Sequence, residues 1–335
     1  MSIVKSTIKQ TLNAGLRLRG SGLAKRVGTG IGTIILMLHR VQEAKAERVI
    51  ANGALQVSPK YLEWFIQGAM ASGYKFISLD QLHEALRKGK ILPRTLAFTL
   101  DDGYLDNLRE GLPVFKKYDV PFTIYLAPAL ILGEAEPWWY SLESLVQKKT
   151  KLYVRGRCLT LNRWNRAATF KMLRNYLLSA ARDESELWLR QLYADNEFSP
   201  AQETRLFLTP KNVTELAQSP LVTLGNHGYL HMPYNSMSEA EIYRDLKKAE
   251  EFIFDLAGSI PRHICYPYGL HGEKSFGVVK RMNAFTATTV KQGFVTKAHE
   301  QYLDRLPRIQ LVEQMAIDDV VRKALVGQLF GLRRP

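Results

Sequence analysis

The stretch Thr95-Leu96-Ala97-Phe98-Thr99-Leu100-Asp101-Asp102-Gly103 decides the fold. Its first six residues are mostly apolar and lie between Pro93 and Gly103, the pattern of a short buried strand. Two carboxylates and a turn glycine follow at once. A second run, Leu221-Val222-Thr223-Leu224-Gly225, leads into His227-Gly228-Tyr229-Leu230-His231. In α/β folds the C-terminal edge of the strands is where sites are built. A carboxylate with two imidazoles four residues apart supplies three metal ligands and leaves a position for water. A second carboxylate beside the first can take that water's proton. Taken singly, Asp-Asp-Gly is a turn and the histidine pair a polar helix face. Their shared placement after strands strengthens the chemical reading.

Outward from these runs, strands alternate with helices. Thr33–Val41 reads as the first strand. Ser58-Pro59 opens a helix carrying Leu62, Phe65, Ile66 and Met70, closed by Gly73. Leu79–Leu86 is a second, shorter helix. A helix follows Gly103 as far as Tyr118, and Phe122–Leu126 is a strand. Ser238-Glu239-Ala240-Glu241 is a capping box for a helix with Ile242, Leu246, Ala249, Phe252 and Leu256 on one face and Gly258 at its end. Phe285–Val290 and Leu306–Val312 are late strands. This alternation predicts a parallel α/β sheet or barrel.

A third segment, Cys265-Tyr266-Pro267-Tyr268-Gly269, completes a pattern. Together the three segments resemble the polysaccharide deacetylase family, the NodB-homology or carbohydrate esterase family 4 group. Its motifs are T-F-D-D-G, H-(S/T)-x-x-H and R-x-P-(Y/F)-G, the last written Y-P-Y-G in one subgroup. Leu36-Met37-Leu38-His39-Arg40-Val41 is similar to the family's opening strand. The match covers residues 33–131 and 214–312. The resemblance implies a distorted (β/α) barrel of about seven units. It also implies N-acetyl hydrolysis on an amino sugar by a divalent ion, most simply zinc, held by Asp102, His227 and His231. Asp101 is then the general base and the backbone N–H of Tyr268 stabilises the oxyanion, with Pro267 shaping that loop. Two positions depart from the pattern. Cys265 stands where many members have arginine, and Arg308 is the candidate to orient Asp101 instead. The family's late L-x-H histidine has no evident counterpart. His39 is a candidate for substrate contact or proton transfer, or else makes a structural hydrogen bond.

Residues 132–213 break the alternation and form an aromatic-rich, mostly helical insertion, with helical stretches at Ala167–Ala181 and Glu184–Tyr193. Trp138 and Trp139 follow the second strand's C-terminal loop and are candidates to contact substrate; the other aromatics read as core.

The net charge of +14 is uneven. The first 40 residues hold seven Lys or Arg and no Asp or Glu, and Ile3, Val4, Ile8, Leu12 and Leu16 recur at helical spacing. Residues 1–32 therefore read as a basic amphipathic leader, suited to an anionic membrane surface or to packing on the domain. No run there is long enough to span a bilayer, and no secretory signal is evident. The expected location is cytoplasmic, peripheral on the inner membrane face, with a lipid-linked, lipopolysaccharide or capsule intermediate as substrate. No helix-turn-helix, finger or RNP pattern favours nucleic acid. Two cysteines without CxxC spacing exclude a disulfide framework. The alternative functions are a non-catalytic glycan-binding or assembly protein on the same fold, and a metal amidohydrolase acting on a small amide.

Overall fold

The computed structural model describes residues 32–43, 50–200 and 206–331; residues 1–31, and with them the basic leader, lie outside the described residues. The main sheet comprises β1 (Thr33–Leu38), β2 (Lys75–Phe76), β3 (Thr95–Leu100), β4 (Phe122–Leu126), β5 (Val222–Asn226), β6 (His263–Cys265), β7 (Thr286–Thr288) and β8 (Ile309–Gln310). Every pairing in it is parallel, in the order β7-β6-β5-β4-β3-β1-β8, with β2 alongside the start of β3. β1 and β3 are buried along their whole length. That is why they read as continuous apolar runs rather than alternating ones: helices cover one side and the barrel interior the other.

The sheet curls until its ends meet. Leu306 bridges Thr288 in parallel, the Arg308 N–H donates to Lys291 O at 2.8 Å, and two residues later Gln310 pairs with Met37 of β1. The expected distorted barrel is therefore what forms. Its main core packs Leu36, Phe98, Ile124 and Phe122 of the strands against Phe65, Ile66 and Phe115 of the outer helices.

Several helix boundaries follow their expected signals. Ser58 and Ser78 cap helices at Pro59–Ala71 and Leu79–Arg87. Ser238 and Glu241 form the capping box of Glu239–Ala257, which ends on Gly258 at φ 68°. Three expectations need correction. The first strand ends at Leu38, because the Asp106 carboxylate takes the Val41 N–H and the Arg40 Nε–H and diverts Arg40–Val41 into a small pairing with Gln56–Val57. The helix after Gly103 runs without a gap from 105 to 117 but is not α-helical throughout: a π-helical turn at Asn107–Gly111 precedes Leu112–Lys117, where Pro113 has no N–H for the α-helical ladder. The two late strands are shorter, at Thr286–Thr288 and Ile309–Gln310, because the chain between them divides its hydrogen bonds among β7, the loop after it and β1.

Residues 132–213 contain helices Trp138–Lys148, Arg166–Ser179 and Arg182–Asp195, packed on a core of their own that includes Leu142, Leu145, Leu152, Phe170 and Leu173. They also contain an antiparallel hairpin, Lys151–Val154 with Arg157–Thr160, that periodicity did not bring out. Its turn, Arg155-Gly156, has both φ angles positive, at 50° and 74°. Such turns match the twist of paired strands, so the glycine was the available signal.

Candidate active site

Four elements converge at the C-terminal mouth of the barrel. β3 ends in Asp101 and Asp102, β5 leads to His227, β6 ends at Cys265, and the closing segment carries Arg308. Asp102 and Gly103 both adopt left-handed conformations, at φ 75° and 76°. This tight reversal turns two adjacent carboxylates in different directions, which sequence adjacency alone leaves open.

Asp102 faces the histidines. Its Oδ1 lies 3.3 Å from His227 Nε2 and 3.1 Å from His231 Nε2, and one ligand atom from each of the three residues fits within a 4.8 Å span. The His227 Nδ1 sits 2.8 Å from the Cys265 carbonyl oxygen. A carbonyl only accepts, so Nδ1 carries the proton and the Nε2 lone pair is directed at the cluster, as metal ligation requires. Burial pushes the Asp102 carboxyl up, but the His231 and His227 imidazoles outweigh it and hold it well below the usual range. The donor set thus fits a divalent cation of the zinc kind. Asp101, His227 and Cys265 also lie close enough together to suggest a second cluster. The Arg308 guanidinium, 3.0 Å from Cys265 Sγ, occupies that space instead.

The histidine loop is not helical. It is held from behind by Asp245, on the inner face of the Glu239–Ala257 helix. Its Oδ2 accepts from the Tyr229 N–H at 3.1 Å and the Tyr234 hydroxyl at 2.8 Å, and its Oδ1 from the Leu230 N–H at 2.9 Å. Asn226 adds a bond to the Gly228 N–H. Gly228 has φ 72°, and a Cβ there would sit 2.4 Å from both Asp245 Oδ2 and Tyr234 Oη. A glycine therefore stands where the family motif has serine or threonine because the carboxylate fills that space. Sequence reading missed Asp245. The signal was a carboxylate inside the apolar stripe Ile242, Leu246, Ala249.

Asp101 turns the other way. Arg308 donates from Nη1 to Asp101 Oδ1 at 2.7 Å and from Nη2 to Oδ2 at 2.8 Å. The guanidinium is fixed by Thr99 Oγ1 and the Thr289 carbonyl and is 1 % exposed. Burial pushes the Asp101 carboxyl up, yet Arg308 outweighs it and the pKa falls below the ordinary value. Cys265 is small, which leaves Arg308 its room. His39 Nε2 is 4.0 Å from Asp101 Oδ2, and its Nδ1 is buried without a hydrogen-bond partner. His299, by contrast, accepts from the Thr296 N–H within its own turn.

Pro267, Tyr268 and Gly269 form a short turn with Tyr268 at φ 57°. The Tyr268 ring lies 4.5 Å from that of His231. Trp138 donates from Nε1 to Tyr268 Oη at 3.1 Å, and Trp139 lies 5.4 Å from the His231 ring with its own Nε1 buried and unpartnered. Together with His231, these three aromatics line a cavity of about 350 Å³ that runs on to Leu130, Leu177, Leu189 and Leu230. The ten residues singled out in the sequence are thus all at this mouth.

The family model for polysaccharide deacetylases matches residues 158–286, which hold the histidine loop and the Pro267 turn. That segment of the chain is similar to the polysaccharide deacetylase family. A poly-β-1,6-N-acetyl-D-glucosamine N-deacetylase of Staphylococcus aureus is 21% identical over 301 residues, covering 87% of this chain and 82% of that protein. Among solved structures, the Streptococcus pyogenes deacetylase PplD, in complex with acetate, aligns with a TM-score of 0.61 at 18% identity. It covers 88% of this chain and 99% of its own. IcaB from Ammonifex degensii aligns at 0.56 and 16%, covering 89% and 98%. At these identities the structures establish that the chain shares their fold.

Proposed function

We propose that the protein hydrolyses the N-acetyl group of an amino sugar within a lipid-linked, lipopolysaccharide or capsule-type glycan. The observation that carries this reading is the split of the Asp101-Asp102 pair: one carboxylate faces two histidines and the other is clamped by Arg308. A divalent ion, zinc by the character of the donors, would be held by Asp102, His227 and His231 and would supply Lewis acidity toward the amide and a lowered pKa for water. Asp101, kept ionised and oriented by Arg308, accepts the proton of the attacking water. As the water oxygen bonds to the amide carbon, the Tyr268 backbone N–H stabilises the charge that develops on the carbonyl oxygen. Protonation of the amide nitrogen then lets the C–N bond break, releasing acetate and a free amine. His39, 4.0 Å from Asp101 and without a hydrogen bond at Nδ1, is the group proposed to deliver that proton. Trp138 and Trp139 offer ring faces to a sugar.

Two features support a lipid-linked substrate, and a third supports the sugar. The curated relatives act, by name, on poly-N-acetylglucosamine, which supports an N-acetylated amino sugar. The cavity beside His231 offers an apolar wall at Leu130, Leu177, Leu189 and Leu230, next to Glu134, Glu136, Glu186 and Arg190. The first 40 residues carry seven cations and no acid, which suits attachment to an anionic inner membrane face. Among the described residues no helix is long and apolar enough to cross a membrane. The test is acetate release from N-acetylglucosamine oligomers and N-acetylated glycolipids, with metal content measured on the same sample. Metal-loaded protein that releases no acetate from any of them overturns the reading.

A further inference from the structure

The insertion brings a cation close to the Tyr268 ring, and the mechanism does not use it. Arg174 lies on the Arg166–Ser179 helix, one turn from the buried Phe170 and next to the buried Leu173. It is half-buried, and its guanidinium sits 5.9 Å from the centre of the Tyr268 ring, which also lies 4.5 Å from the His231 ring. Among the described residues its one recorded contact is that ring; no carboxylate or carbonyl takes its donors. A guanidinium has five N–H donors in a fixed fork, and leaving them unpaired in a partly buried place is costly. Burial accordingly pulls the Arg174 pKa down, with only the Tyr268 oxygen acting the other way.

Among the described residues no anion is recorded against Arg174, and Glu143 on the neighbouring helix accepts from Asn52. Residues 144–182 contain ten Lys or Arg and no Asp or Glu. The carboxylates lining the neighbouring cavity are committed elsewhere: Glu134 accepts from Tyr229, Glu136 from Tyr193, and Glu186 faces Arg190. Arg166, another cation of the insertion, donates to the carbonyls of Gln147 and Lys149. Arg174 has no such partner among the described residues and lies at the ring beside the candidate metal ligand.

We propose that Arg174 is a specificity residue that binds an oxyanion of the substrate, a phosphate or a carboxylate carried next to the acetamido sugar. The proposal deepens the deacetylase reading and rests on it. It sets this chain apart from a deacetylase for a neutral N-acetylglucosamine polymer. The fork geometry suits bidentate contact with either oxyanion, and the basic insertion would steer such a substrate inward.

The test uses the full chain and three soluble probes: a neutral N-acetylglucosamine disaccharide, one with a neighbouring glucuronic acid, and one ending in a glycosyl phosphate. Acetate release gives kcat and KM, and calorimetry gives binding. The expected result is a preference for one or both anionic probes of roughly 10- to 100-fold in kcat/KM, the usual worth of a charged hydrogen-bonded pair, expressed in KM. In Arg174→Gln that ratio collapses toward one, whatever the absolute rates, and Arg174→Lys restores part of it. The probe preferred identifies phosphate or carboxylate. Turnover of all three probes at similar kcat/KM overturns the proposal and leaves deacetylation standing. An anion preference in binding that depends on Arg174, without turnover, keeps the proposal and removes the deacetylase reading. An Arg174→Gln protein that loses binding of all probes equally, with a lowered Tm, assigns Arg174 to structure and also overturns it.

Discussion

Arg308 and Asp101 meet through two parallel hydrogen bonds of 2.7 and 2.8 Å across 207 residues of sequence. The pair ties the closing segment of the barrel to the end of β3, so the carboxylate proposed as the base and the segment leading into the last strand are fixed by one contact. Removing one partner of a buried pair leaves an uncompensated charge. Arg308→Met is expected to cost about 3–5 kcal/mol of stability and most activity. Asp101→Asn with Arg308→Met is expected to be more stable than Arg308→Met alone. Arg308→Lys keeps the charge but not the fork and should recover stability better than turnover. Urea unfolding and acetate release on the three proteins check this; equal stability of Arg308→Met and the natural protein would remove the assigned coupling.

The two aspartates should separate by metal content. Asp102→Asn is expected to lose the ion. Asp101→Asn is expected to keep it and to lose turnover by roughly 10²–10⁴-fold, the usual size of a general-base effect. Elemental analysis beside kinetics decides, and parallel loss of metal in both variants would show that the split of roles is wrong.

Gly228→Ser would bring the histidine loop closer to the family motif and is nevertheless expected to harm this protein. The left-handed backbone costs a residue with a Cβ about 1–2 kcal/mol, before the 2.4 Å approach to Asp245 and Tyr234 is counted. Metal affinity should fall while the rest of the barrel stays folded. Unchanged zinc affinity in the variant would mean that the Asp245 clamp is not what places His227 and His231.

At the opposite end of the barrel, Asp80 accepts from His263 at the start of β6. That hydrogen bond, more than any other effect, lowers the Asp80 pKa. A carboxyl depressed on folding stabilises the protein above its unfolded value of about 3.9, and the contribution disappears as pH falls through the folded value. Asp80→Asn should therefore be less stable than the natural protein at neutral pH and approach it near about pH 3. Urea midpoints at both pH values test the sign; a gap that widens in acid would reverse it.

The leader gives a separate test. Deleting residues 1–30 should abolish co-sedimentation with anionic vesicles, and binding of the full chain should weaken as salt rises. Equal sedimentation of both proteins would place any membrane contact elsewhere.

What the sequence determined by itself is local. Apolar runs ending in Asp101-Asp102-Gly103 and before His227 declare strands whose ends carry chemistry, because a six-residue buried run has few other ways to satisfy its backbone. Ser58, Ser238 and Gly258 mark helix ends because capping is a short-range bond. The hairpin at Arg155-Gly156 was equally local, but its alternation is short and was masked by the helices around it. Tertiary structure alone decided which carboxylate faces the histidines, since that depends on the paired left-handed turns at Asp102 and Gly103. It also decided that Asp245 braces the histidine loop and that Arg174 lies over Tyr268. Arg308 was legible as a candidate, but its bonds to Asp101 were not. These contacts join segments from 15 to 207 residues apart in sequence. Closure of the barrel and docking of the insertion bring those segments together, and no window of sequence contains either event.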